Sequence, residues 1–229
     1  MFQMTPEYPG WMTRGLGWLL FAGLVLWTLA MAWPAAALFG NLATVLLLFG
    51  NAAFALATLD LQRRRKRRLP DVTLDFWRVA MGCLLVTLLL FVVGLASPAW
   101  SSGVHAPLLL GAGLAFGFAL SAVNGMLYKI VPFLVWFHLQ NRLLHSGLLG
   151  SGAKVPHMKQ VLPDRLGRRQ LRAHVVALML LPAALLWPMP WLYPFALVLG
   201  ASFTLLGLNL WNAALLYRRE ARRLAAVPA

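Results

Sequence analysis

Six long stretches of apolar residues, almost free of charge, dominate this chain of 229 residues. A helix needs about 20 apolar residues to cross the roughly 30 Å hydrocarbon core of a bilayer. Membrane-spanning β-strands would instead alternate polar and apolar residues in short segments, which these stretches do not do. The sequence therefore predicts an all-α fold, an integral membrane bundle of six transmembrane helices that forms a single domain over residues 1–229. The predicted helices cover residues 16–33, 35–59, 79–96, 107–138, 174–187 and 191–217.

The basic residues are distributed unevenly around these stretches. Of the 20 lysines and arginines, 19 lie before the first stretch, in the loops 60–78 and 139–172, or after the sixth stretch. All six acidic residues fall in the same regions. Loops with such an excess of lysine and arginine stay in the cytoplasm. The pattern predicts a multi-pass protein of the cell inner (plasma) membrane, with both termini and both basic loops in the cytoplasm.

The two basic loops differ in the partners that they predict. The run from Arg63 to Arg68 joins two membrane helices and has no interleaved aromatic residues, so we expect no nucleic acid there. We expect it to contact anionic lipid headgroups, at about 1 kcal/mol for each basic residue near the surface. The loop 139–172 is rich in glycine and proline, and we expect an irregular segment with a short surface helix over 164–172. It is the only segment large enough to present a docking surface in the cytoplasm. Other membrane subunits are candidate partners of the chain.

Polar residues inside the spans are candidates for function because the membrane interior makes them costly. No aspartate or glutamate lies in a predicted span, which argues against a carboxylate proton relay or cation path. The fourth stretch carries Lys129, which can extend its ammonium to the headgroups or face the bundle interior and bind an anionic group. Pro132 removes a backbone donor and is expected to kink this helix. The candidate functional residues are Lys129, Pro132, His138, Asn124 and Tyr128.

Two histidines flank the loop between the fourth and fifth stretches. His138 ends one stretch and His174 opens the next, so a helical hairpin would place both at the cytoplasmic boundary. Imidazoles on facing helices can ligate a haem iron or another metal such as copper, which makes His138 and His174 the candidate haem or metal ligands. The alternative is that each hydrogen-bonds at its helix end. Cys83 is the single cysteine, so no disulfide or CxxC pair exists.

Other residues predict helix packing rather than chemistry. Gly113 and Gly117 form a GxxxG pattern that allows close helix approach. The sequence contains no phosphate-binding loop, nucleophile elbow or zinc-protease motif, so it does not indicate an enzyme. Four asparagines in the second and sixth stretches predict interhelical hydrogen bonds: Asn41, Asn51, Asn209 and Asn212.

Three segments carry a resemblance to known proteins. Residues 128–138 (YKIVPFLVWFH), 155–157 (VPH) and 1–9 (MFQMTPEYP) resemble a group of largely uncharacterised bacterial inner-membrane proteins. That group is loosely similar to the helical bundles of haem-copper oxidase large subunits and nitric-oxide-related membrane proteins. The resemblance implies an association with respiratory or haem/copper metabolism. It also implies either that this chain is the C-terminal part of a longer protein or that its start codon has been placed too far downstream. It implies no oxidase centre, because the several core histidines of those catalytic subunits are missing here.

Three functional hypotheses follow. The first is a non-enzymatic inner-membrane protein associated with respiratory or haem/copper metabolism, with Lys129 and His138 as its main positions. The second is a small permease or channel for a neutral or anionic solute, with a polar cavity between the second, fourth and sixth spans. The third is a scaffold subunit of a larger membrane complex. The residues expected to line the cavity of the second hypothesis are Asn51, Asn124, Tyr128 and Asn209.

Overall fold

The computed structural model describes residues 6–33, 37–65, 71–97, 100, 103–145 and 154–225. Within these residues there is no β-strand, and every helix except the short α5 is long and apolar enough to cross a membrane. The prediction of an all-α fold with six membrane-spanning helices is confirmed. The helices are α1 (Met12–Ala32), α2 (Ala37–Arg63), α3 (Val72–Ala96), α4 (His105–His145), α5 (Met158–Val161), α6 (Asp164–Leu186) and α7 (Pro188–Ala225).

Some predicted segments lie outside the described residues. These are residues 1–5 of the opening segment that carries part of the family resemblance, residues 66–70 of the first basic loop, and residues 146–153 of the second.

Several helices extend beyond their predicted ends on the side that carries the basic residues. The third helix begins at Val72 rather than 79, and the fifth spanning helix begins at Asp164 rather than 174. The expected surface helix over 164–172 is therefore the first part of α6. Hydropathy locates the apolar part of a helix, whereas arginine, lysine and glutamine are good helix formers that continue it among the headgroups.

The fourth spanning helix contains a π-helical segment before its proline. It is α-helical over His105–Ala112, π-helical over Gly113–Ala119 and α-helical again over Leu120–His145. Pro132 lies inside the last part, and the helix continues through it. Short π-helical segments inside α-helices occur often at functional sites.

Contacts divide the chain into two compact units. Unit 1 comprises residues 1–70 and 78–118, and unit 2 comprises residues 71–77 and 119–229. In unit 1, α1 and α2 approach closely at two glycines. A Cβ atom at Gly23 would lie 3.0 Å from Leu47 Cδ2, and one at Gly50 would lie 2.7 Å from Leu20 Cδ2. Small residues let membrane helices pack by close contact of their backbones.

The GxxxG pattern of α4 makes the same kind of contact with α3 in unit 1. A Cβ atom at Gly117 would lie 2.8 Å from Cys83 Cβ, and one at Gly113 would overlap Thr87 Oγ1. The close packing predicted for these glycines is confirmed. Elsewhere in unit 1, the hydroxyl of Tyr8, which precedes α1, lies 2.9 Å from Oγ1 of Thr58 on α2.

Unit 2 consists of α4 from residue 119 onward, α5, α6, α7 and the first residues of α3. Its main apolar core joins the start of α3, the middle of α4, the α5 segment and α7. A second apolar cluster joins the end of α4 to the end of α7 through Leu139, Leu143, Ala221 and Leu224. The buried members of the main core are Val72, Phe76, Tyr128, Val161, Leu162, Leu206 and Ala213.

The surface of the chain is apolar to a degree that suits hydrocarbon and not water. Trp18, Met179 and Leu197 are each exposed by 73% or more, and many other large apolar side chains are exposed on the spanning helices. Monomers that live in water rarely expose apolar patches of this extent. Several uncharged polar side chains are instead fully buried in unit 2, and they form the candidate site described next.

Candidate functional site: a buried polar cluster in unit 2

Three side-chain hydrogen bonds connect the helices of unit 2 in its interior. Ser121 Oγ on α4 lies 2.8 Å from His174 Nε2 on α6. Gln170 Nε2 on α6 donates to Ser202 Oγ on α7 at 2.9 Å. Asn209 Nδ2 on α7 donates to the Tyr128 hydroxyl on α4 at 2.8 Å. Together with Asn124 of α4, which is also buried, we call these seven residues the polar cluster: Ser121, Asn124, Tyr128, Gln170, His174, Ser202 and Asn209.

Helical spacing brings the members of the cluster to matching faces. Residues three, four or seven apart lie on one face of an α-helix. This relation links Ser121, Asn124 and Tyr128 on α4, and it links Gln170 to His174 on α6. Ser202 and Asn209 are seven apart on α7. The polar atoms of three helices therefore meet in one interior region.

The register of α4 against α6 places the side-chain amides of Asn124 and Gln170 at the same height along the helix axes. Ser121 contacts His174 at one end. A Cβ atom at Gly167 would lie 3.1 Å from Tyr128 Cε1 at the other end. The two helices are therefore antiparallel, and Asn124 and Gln170 both lie between these contacts, about one turn from each end.

An aromatic ring from α3 covers the cluster. Phe76 is fully buried, stacks on Tyr128 with ring centroids 5.7 Å apart, and lies 5.9 Å from the His174 ring. Gly125 allows this approach, because a Cβ atom there would lie 2.9 Å from Phe76 Cβ. The apolar ring excludes water from one side of the polar groups.

Three polar atoms of the cluster have no hydrogen-bond partner among the described residues. They are Asn124 Oδ1, Gln170 Oε1 and His174 Nδ1. The exposed fractions of Asn124, Gln170 and His174 are 1%, 0% and 0%. A buried polar atom that pairs with nothing costs about 1–3 kcal/mol. Each such atom in a native structure calls for an explanation, such as a water or another small molecule that bonds to it.

A short segment that contains α5 packs against the apolar core beside the cluster. Val161 and Leu162 are buried, and they pack in the core that contains Phe76 and Tyr128. His157 caps α5 through its ring nitrogen, and Lys159 Nζ lies 3.2 Å from Asp164 Oδ2 at the start of α6. We call residues 157–162 the capping segment.

The structure brings some of the predicted site residues together and not others. Asn124 and Tyr128 belong to the polar cluster, and His174 joins them. Pro132 is buried in α4, one turn beyond Tyr128. Lys129 is half-buried and forms no ion pair with any described residue.

His138 and His174 do not lie together. His138 is exposed, its Nδ1 donates to Leu134 O at 2.8 Å, and its ring lies 6.4 Å from that of Tyr217. It is about 25 Å along the α4 axis from Ser121, at 1.5 Å per residue, whereas His174 contacts Ser121 directly. His174 is also fully buried and ten residues into α6, not at a helix start.

Of the four asparagines predicted to form hydrogen bonds between helices, only Asn209 is seen to do so among the described residues. Asn51 in unit 1 donates to Leu47 O of its own helix at 2.8 Å. Asn41 and Asn212 are exposed. Of the four residues expected to line a cavity, three belong to the polar cluster, and α6 contributes to it in place of α2.

Sequence reasoning missed Ser121, Gln170 and Ser202. Gln170 and His174 share a helical face with Gly167 and Ala177, all buried, while arginines occupy the other faces of the same segment. A face of small and uncharged polar residues, opposite a basic face, indicates that this side of the helix is buried. This pattern in the sequence could have identified Gln170.

Metal ligands do not cluster in the part of the chain that the structure describes. No group of three or more histidine, cysteine, aspartate or glutamate side chains is placed there to hold a metal ion. No protein-family model matches this chain, and no curated protein or solved structure does either.

Proposed function

We propose that this chain is a small permease or channel for a neutral or anionic polar solute, with its solute site in the polar cluster. The observation that carries the proposal is the set of three buried polar atoms of the cluster that have no hydrogen-bond partner among the described residues. Buried polar groups that lack partners are costly, and each one in a native structure calls for an explanation such as a bound molecule. Sites for small molecules combine apolar walls with a few converging polar groups, as Phe76 and the cluster do.

The orientation that we propose has both termini in the cytoplasm of the inner membrane. The basic residues and the ion pairs of unit 2 support it, since Arg168 lies 3.9 Å from Asp75 and Arg223 lies 3.5 Å from Glu220. These pairs lie at the helix ends where the positive charge is concentrated. Arginines there would contact anionic lipid headgroups.

A flux assay with a matched pair of variants tests the proposed site. Purified protein is reconstituted in liposomes, and the influx of small polar solutes, neutral and anionic, is measured by light scattering. Asn209→Leu removes the hydrogen bond to Tyr128, and we expect it to lower flux about fivefold, as a loss of about 1 kcal/mol implies. Asn212→Leu makes the same change on the exposed face of α7 and should leave the flux unchanged. Equal flux in both variants, or none above empty liposomes, would contradict the proposal.

An association with respiratory or haem/copper metabolism is the second proposal. Its support is the resemblance of residues 128–138 and the free Nδ1 of His174, a nitrogen that can ligate a metal ion. Visible absorption and metal content of protein purified from haem- and copper-replete cells test it, and a colourless, metal-free preparation would exclude it. A scaffold role in a membrane complex would instead appear as stoichiometric co-purification of other subunits.

A further inference from the structure

We propose that the polar cluster selects a small neutral molecule that carries at least two N–H or O–H donors. This inference rests on the proposed function and decides between its neutral and anionic solutes. It begins from the chemical nature of the unpartnered atoms. Asn124 Oδ1 and Gln170 Oε1 are amide oxygens, which accept hydrogen bonds and cannot donate them.

The structure places the Gln170 amide nitrogen, and not its oxygen, next to Ser202. Its Nε2 donates to Ser202 Oγ at 2.9 Å, which leaves Oε1 as the free atom. Asn124 and Gln170 lie at the same level on facing helices, between the Ser121–His174 and Gly167–Tyr128 contacts. In this proposal, one molecule between the two helices donates to both oxygens.

His174 supplies the complementary group one turn away. When Ser121 Oγ–H donates to Nε2, the neutral imidazole carries its proton on Nδ1. Nδ1–H is then a donor for a carbonyl or hydroxyl oxygen of the same molecule. A small amide, urea-like compound or polyol has this combination of donors and an acceptor.

Charged solutes fit these groups less well. An anion presents only acceptors, which would face two amide oxygens of the same polarity. A cation would enter a cluster that has no carboxylate, and Asp75, next to Phe76 in sequence, is paired with Arg168 at 3.9 Å. Removing an ion from water without an opposite charge costs several kcal/mol. A neutral donor avoids both penalties.

Urea and nitrate form a matched pair of probes, because both are small and planar but urea donates hydrogen bonds and nitrate only accepts them. In proteoliposomes of the full chain we expect urea flux to exceed nitrate flux by at least about tenfold, the value of one to two neutral hydrogen bonds. Asn124→Leu and, independently, Gln170→Met should each lower urea flux about fivefold, since each removes one acceptor. Gln170→Met also removes the hydrogen bond to Ser202, so the Asn124 variant is the cleaner test. Asn51→Leu, which replaces an amide bonded within its own helix, is the control.

The outcomes separate this inference from the proposed function. Nitrate flux that equals or exceeds urea flux and is lost in Asn209→Leu would overturn the donor preference and leave the solute site in place. No flux that depends on Asn209 would overturn both. Water permeation without urea permeation, reduced by Asn124→Leu, would support the donor chemistry with water as the molecule bound. Correct folding of each variant is checked by its elution as a single species and by its circular dichroism.

Discussion

Replacing Gly125 with alanine tests the close packing that places Phe76 over the polar cluster. The added Cβ atom would lie 2.9 Å from Phe76 Cβ and 3.2 Å from the Thr73 carbonyl oxygen. Neither atom is the end of a flexible side chain, so α3 itself must shift. Overpacking of this kind costs about 1–3 kcal/mol, while glycine-to-alanine substitution inside a helix gains about 1 kcal/mol.

A second glycine serves as a control that separates the free-energy cost of overpacking from the gain in helix propensity. Gly207 lies inside α7, and a Cβ atom there would meet nothing within 4 Å. Gly125→Ala should therefore be less stable than Gly207→Ala by about 1–3 kcal/mol, or by at least about 2 °C in Tm for a chain of this size. The measurement is thermal unfolding in detergent, followed by circular dichroism. Equal Tm values, or a higher Tm for Gly125→Ala, would refute the contact between Gly125 and Phe76.

Two further predictions concern the capping segment and the topology. Leu162→Ala removes a buried side chain of the capping segment. It should destabilise the protein by about 2–5 kcal/mol, or loosen the segment locally and raise urea flux. The control is Leu144→Ala, at a side chain that is 47% exposed, which should change stability by less than about 0.5 kcal/mol. Stability and flux that match those of Leu144→Ala would show that Leu162 does not close the site. In a Cys83→Ala background, a membrane-impermeant thiol reagent should label Trp187→Cys in intact cells but label Arg64→Cys only after permeabilisation. The reverse labelling would invert the proposed topology.

The sequence predicted the spans well because hydropathy sums the transfer free energy of each residue independently of its neighbours in space. It predicted helix ends less well, since Val72–Arg78 and Asp164–Arg172 are polar enough to look like loops yet continue α3 and α6. Whether a polar residue ends a helix depends on the packing of the remaining face. Val72 and Gly167 are in contact distance of each other, and this tertiary contact stabilises both helix starts.

The candidate site was only half predictable for a related reason. Asn124 and Tyr128 stood out because they lie in a strongly apolar stretch, whereas Gln170 was hidden among arginines at the start of α6. His138 and His174 looked equivalent by their places near a loop. The antiparallel register of α4 and α6 buries one against Ser121 and leaves the other exposed beside Tyr217. Register depends on contacts such as Gly167 with Tyr128, which no single stretch of sequence encodes.

The central claim is that the polar cluster holds a small molecule with hydrogen-bond donors. A density map of the purified chain, at a resolution that shows ordered water, tests this claim most directly. We predict a density peak within about 3 Å of both Asn124 Oδ1 and Gln170 Oε1, the distance of a hydrogen bond. Continuous contact between the two amides, with each satisfying the other and no density between them, would contradict it.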